Sequence, residues 1–131
     1  MKYFIDTNII IDYFVGRKYP KLDLDRFFQE VHRSNIYISP LSIHIFFYVY
    51  RKTLTFNQKI EIINFVNKLN IIPLDKEVLN NTSLLDYNDY EDLLQYFSAI
   101  KECDVILTRN TSDFVNIRKL YEYKIEIIDK Y

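Results

Sequence analysis

Residues 1–16 read MKYFIDTNIIIDYFVG, and the fold turns on how the apolar run YFI meets Asp6. A short strand entering a core does not ordinarily end on a carboxylate. After Asp6 come Thr7 and Asn8, and a helical pattern then runs to Gly16, the sole glycine. Strand, acid, helix is how an alternating α/β chain begins, and it sets an acid at the carboxyl end of the first strand.

The same alternation continues outward from this segment. Short β-rich runs at 2–5, 36–39, 70–73, 104–108 and 124–128 predict five strands. Helical patterns at about 7–15, 22–34, 40–52, 56–69, 75–83, 89–102 and 111–120 lie between them. This spacing predicts a five-stranded parallel sheet covered by helices on both faces, a three-layer α/β/α sandwich. Ser39 before Pro40 reads as an N-cap with proline at the first helical position, and Asn88 with Glu91 reads as a capping-box-like pair. No repeat, low-complexity tract or linker divides the chain, so 1–131 is read as one domain.

Composition removes several kinds of chemistry. Lys+Arg 17 against Asp+Glu 18 gives a net charge of -1, so any phosphate-binding surface must be local. One glycine cannot build a phosphate-cradling loop or a dinucleotide fingerprint. There is no G-x-S-x-G elbow, and His32 and His44 are not spaced as a zinc pair. Cys103 has no partner for a disulfide, which fits a reducing compartment. No apolar run is long enough for a signal peptide or membrane span, so a soluble, cytoplasmic chain is expected.

The remaining chemistry lies with carboxylates. In a parallel α/β sheet the strand ends and the starts of the returning helices share one edge, where ligands bind. Asp6 ends the first strand, Asp92 opens the helix before the fourth, and Asp113 follows the fourth in TRNTSDF. Each acid also stands where an aspartate helps a helix to start, which is the plainer explanation of any one of them. Three on one rim repel unless a cation neutralises them, and an oxygen-rich set selects Mg²⁺ or Mn²⁺ over zinc.

In order and spacing, FIDTNIIIDYF, SPLSIHIFFYVYRK and DYEDLLQYFSAIKECDVILTRNTSDF resemble the PIN-domain nucleases, including VapC-type toxins of toxin–antitoxin pairs. The resemblance spans nearly the whole chain. It implies a Mg²⁺-dependent endoribonuclease that hydrolyses RNA phosphodiesters, with Asp6, Asp92 and Asp113 as catalytic and metal-holding acids. Asn8, Ser42, Thr108 and Asn110 fall where supporting polar residues are expected. Arg109, beside the acidic rim, is the best local candidate for a phosphate contact. Arg17, Lys18 and Lys21 around Tyr19 read either as a solvated loop or as a site for stacking single-stranded RNA.

One position departs from the family pattern. Three residues after Ser42, where a glutamate is usual, stands Ile45, with His44 beside it. That difference keeps a second reading open, a weakened or inactive PIN-like module that binds RNA or protein without cutting. A phosphatase of the haloacid dehalogenase kind would need an aspartate at position 8, which holds Asn8. Finally, LSIHIFFYVY (41–50) is apolar nearly all round the helix, more than one core-facing stripe requires. Its spacing sends Ile43, Phe46, Phe47 and Tyr50 to the core. The resemblance favours a homodimer or antitoxin interface on the remaining sides, with Tyr48 as the anchor.

Overall fold

In the computed structural model, which describes residues 1–131, five parallel strands form one sheet in the order β3-β2-β1-β4-β5. The strands are β1 (Tyr3–Ile5), β2 (Ile36–Ile38), β3 (Asn70–Ile71), β4 (Val105–Leu107) and β5 (Glu126–Ile128). The helices are α1 (Thr7–Val15), α2 (Leu24–Glu30), α3 (Pro40–Val49), α4 (Phe56–Val66), α5 (Lys76–Thr82), α6 (Tyr90–Glu102) and α7 (Thr111–Leu120). A single 3-10 turn, Arg33–Asn35, precedes β2.

Alternation along each short strand divides the interior in two. Phe4 and Ile106 point to one face, where they pack with α5, α6 and α7 through Val78, Phe97 and Phe114. Ile5, Ile36, Ile38 and Leu107 point to the other, against α1, α2, α3 and α4 through Ile9, Phe27, Phe46 and Ile62. The chain first builds the sheet away from β1 through β2 to β3, then returns to lay β4 on the opposite side of β1. The reversal explains why the later helices cover the other face, and it puts a topological switch point between β1 and β4.

All five strands lie inside their expected ranges, while four helices stop short. The expected 22–34 helix ends at Glu30, and the 40–52 helix at Val49. Ser39 caps α3 as expected, its Oγ accepting from the Leu41 N–H at 3.1 Å. The pairing of Asn88 with Glu91 is corrected: the N-cap of α6 is Asp89, whose Oδ1 accepts from the Asp92 N–H at 3.1 Å. Aspartate caps as well as asparagine, and it stands next to the first helical residue. The reciprocal box forms instead at α4, where Thr55 and Gln58 satisfy each other's backbone N–H groups at 2.8 and 3.2 Å. No helix is long and apolar enough to cross a membrane.

The excess apolarity of α3 resolves into separate contacts. Phe46 is buried, and Ile43, Phe47 and Tyr50 pack on the same core, as their spacing predicts. Leu41 reaches the opposite core, and Ile45 faces a polar cleft at the sheet edge. Only Tyr48 and Val49 are left open, 59% and 56% exposed. The Tyr48 ring is held between His44, stacked at 6.3 Å, and the Arg51 guanidinium at 4.3 Å.

Candidate active site

Asp6 sits at the carboxyl end of β1, on the switch point, and is 6% exposed. A buried carboxylate must be hydrogen-bonded, and each of its oxygens is. Oδ1 accepts from the Thr7 N–H at 2.8 Å, which is the cap of α1. Oδ2 accepts from Thr108 Oγ1 at 2.8 Å and from Asn8 Nδ2 at 3.2 Å. Thr108 directly follows β4, so this bond crosses the switch point and ties the ends of two neighbouring strands together. Its hydroxyl also accepts from the Asn110 N–H at 2.9 Å, and Asn8 Oδ1 accepts from the Arg109 N–H at 3.3 Å. Burial raises the Asp6 carboxyl above its ordinary range, against the Thr108 bond, which lowers it.

A cleft of about 180 Å³ opens beside Asp6, with Asn8, Asp92 and Asn110 on its wall. Asp92, in the first turn of α6, carries the strongest electrostatic mark. Desolvation, followed by the charges of Asp89, Asp6 and Asp113, pushes its carboxyl up to about 7. Its folded state therefore holds a proton that the unfolded chain releases near 3.8, and the cost of ionising it in place grows as pH rises from that value to about 7. A cation in the cleft would relieve the same strain.

The structure thus brings together Asp6, Asn8, Asp92 and Asn110, with Thr108 directly behind Asp6. Asp113, in the first turn of α7, is not on the cleft wall and acts on Asp92 through charge. Ser42 lies behind the wall, its hydroxyl 2.8 Å from that of Thr7. Arg109 is turned aside: its Nε meets Asp12 Oδ2 at 2.7 Å, as an ion pair not directed as a hydrogen bond. Arg17 approaches the other oxygen of Asp12 at 3.4 Å. Tyr19 is half-buried against the core, and its backbone forms a bridge with Leu22. His44 is exposed and away from the cleft wall.

No three acidic, histidine or cysteine side chains converge closely enough to form a ready-made ligand shell. The donor set still suits a small hard cation, because Mg²⁺ keeps several waters and takes one or two carboxylates with substrate phosphates. Every polar group on the wall is an oxygen or amide, which disfavours zinc. Cys103 is buried at the far end of α6 with its thiol pushed up to about 12, so it supplies no nucleophile.

Two residues of this region escape a reading of the sequence. Asp12 is 2% exposed and anchors Arg109; its one signal is a lone acid inside IIIDYFV. Gln95 is also 2% exposed and lies on the cleft wall. In α6 every residue from Leu93 to Ile100 is buried, so a glutamine within LLQYFSAI needs partners that the sequence does not name.

A profile of the PIN domain matches residues 2–112. No functionally curated protein matches the sequence. Among solved structures, a toxin–antitoxin complex from Klebsiella pneumoniae aligns with a TM-score of 0.73 at 21% identity, covering 99% of this chain and 98% of that one. VapBC2 from Rickettsia felis, bound to a DNA fragment from its promoter, gives 0.71 at 18% identity, covering 98% of each chain. DNA-bound VapBC from Salmonella typhimurium gives 0.72 at 19% identity, covering 98% of this chain and 97% of that chain. At these identities the likeness is one of fold.

Proposed function

This chain belongs to the PIN-domain family, and on that premise we propose that residues 1–131 form one domain acting as a divalent-metal-dependent endoribonuclease, the toxin of a toxin–antitoxin pair. The observation that carries the reading is the buried Asp6 carboxylate at the switch point, held by Thr108 and Asn8 and facing a desolvated Asp92 across one cleft. Capping alone requires neither the burial of the first acid nor the crowding of the second.

When bound, Mg²⁺ or Mn²⁺ supplies positive charge to the scissile phosphate and acidifies the attacking water. The chain's own residues do the rest. Asp6 and Asp92 hold the cation, and Asp113 adds negative charge from α7. Thr108 and Asn8 fix the Asp6 carboxylate, Asn110 closes the wall, and Ser42 fixes Thr7. Arg109, held by Asp12 off the cleft wall and partly exposed, is the proposed contact for the RNA backbone outside the cleft. Incubating the purified protein with mixed-sequence RNA in Mn²⁺, Mg²⁺ or EDTA tests this. Metal-dependent internal cleavage supports the reading, and none in either metal removes it.

A second reading, a PIN-like binding module with little or no catalysis, draws on Ile45. This side chain stands half-buried on the cleft wall, where a carboxylate would meet the cation. Ile45→Glu is expected to raise metal-dependent RNA cleavage at least about tenfold, roughly 1.4 kcal/mol of barrier. Turnover measured on one labelled oligonucleotide checks it. Unchanged turnover in a folded variant would show that the cleft does not work as a metal site.

The partners proposed are RNA, an antitoxin and a second copy of this chain in the cytoplasm. A solved neighbour is a toxin–antitoxin complex, Tyr48 and Val49 are exposed on α3, and α4 leaves Phe56, Ile60 and Ile63 exposed as well. With its ring already ordered by His44 and Arg51, Tyr48 is a low-entropy anchor. Tyr48→Asp is expected to shift a micromolar dimer toward monomer by tenfold or more in dissociation constant, about 1.4 kcal/mol. Sedimentation of both proteins decides it, and a monomeric wild type or an equally dimeric variant overturns the interface.

A further inference from the structure

We infer that Gln95 supplies a neutral oxygen to the cation site, on the wall where Ile45 leaves no carboxylate. One residue of the cleft wall carries an orphaned atom. Gln95 Oε1 is buried and has no hydrogen-bond partner, and Gln95 is the only residue of the cleft wall carrying such an atom. An unpartnered buried carbonyl is costly, and native proteins keep few of them without a use.

The other half of the same amide is fully occupied. Nε2 donates to Thr7 Oγ1 at 2.9 Å and to Ser42 Oγ at 2.8 Å. Those hydroxyls also lie 2.8 Å from each other, so neither depends on Gln95 for a partner. Two residues from two other helices therefore fix the glutamine, with its N–H groups turned toward α1 and α3. The amide is set in place while its acceptor is left unused.

What that acceptor suits follows from its neighbours. Asp6, Asp92 and the exposed Glu91 share the cleft with Thr7, Asn8 and Asn110, and Ile11 and Ile45 are its two apolar lining residues. A protein donor would find the carboxylates the stronger acceptors, so the missing partner is a cation or its hydration water. Amide oxygen is a hard ligand suited to Mg²⁺ and Mn²⁺. It adds a donor without adding negative charge to a wall that already carries three carboxylates, those of Asp6, Glu91 and Asp92.

This inference rests on the divalent-cation reading of the cleft, and the experiment separates the two. Mn²⁺ binding to wild type, Gln95→Leu and Gln95→Glu is measured by calorimetry and by the rise in melting temperature on adding Mn²⁺, without RNA. Gln95→Leu is expected to weaken Mn²⁺ about tenfold and shrink that rise, and Gln95→Glu to strengthen it by a similar factor. A purely structural glutamine would change the melting temperature equally with and without Mn²⁺. Wild-type protein that takes no Mn²⁺ at millimolar concentration overturns the metal reading itself. Wild type that binds while both variants bind equally well overturns the role of Gln95 alone. Should Gln95→Leu fail to fold, unchanged affinity in Gln95→Glu overturns that role by itself.

Discussion

Asp6→Asn is expected to lower metal-dependent RNA cleavage at least about a hundredfold, roughly 2.7 kcal/mol of lost transition-state stabilisation, while the protein stays folded. Asparagine has nearly the shape of aspartate and caps a helix equally well, so the bond to the Thr7 N–H survives. The Thr108 hydroxyl can turn from donor to acceptor and keep its contact, while Asn8 Nδ2 loses its acceptor, because the new amide nitrogen is itself a donor. The charge disappears as well. Burial raises the Asp6 carboxyl above its ordinary value of 3.8, so the ionised form costs folded-state stability at neutral pH, and the neutral variant escapes that cost. Without metal, that relief and the lost Asn8 bond oppose each other, so Asp6→Asn should melt close to wild type at about pH 7–8. With Mn²⁺, its melting temperature should rise less. Equal cleavage and an equal rise in both proteins would leave Asp6 as a helix cap only.

The largest stability effect is expected at Asp12. Its carboxylate is 2% exposed and lies between Arg109 at 2.7 Å and Arg17 at 3.4 Å. Removing one partner of a buried pair strands the other, typically at about 3–5 kcal/mol. Here the Arg109 and Arg17 side chains keep 32% and 53% exposure, so water screens part of the loss. Asp12→Ala should cost about 2 kcal/mol in urea unfolding, and Asp12→Leu with Arg109→Leu should recover part of it. A coupling of about 1 kcal/mol in that double-mutant cycle is the signature of a working pair. A loss below about 0.5 kcal/mol, additive in the double variant, would mean that the ion pair does nothing for stability.

The fold was largely legible because it is written in local patterns. Strand and helix periods alternate, and even strands of two or three residues announce themselves as β-branched runs beside an acid, proline or polar end. Helix ends were less so: Asp89 and Asn88 are both good caps, and only backbone geometry chooses between them. In the cleft, Asp6 and Asp92 could be found from their places in the topology. Gln95 and Asp12 could not, since the hydroxyls and guanidinium that give them meaning come from distant parts of the chain. The breadth of apolar residues on α3 was plain, yet which side met which core, and that Ile45 met neither, depended on how three layers close.

The central place of β1 has a consequence for how the molecule is made. Its three residues are synthesised before β2 and β3, but the β4 side stays empty until residue 108 has followed. At roughly 5–20 residues per second a nascent chain spends several seconds with a half-sheet of β1, β2 and β3. In that interval Asp6 has no Thr108, Asp12 has no Arg109, and α6 has no sheet edge to close against. A copy that stops after β3 therefore carries Asp6, Asn8 and Ile45 but lacks Asp92, Gln95 and Asn110 from the other side of the cleft. If this chain is harmful to the cell that makes it, the order of its strands withholds that harm until β4 has been made.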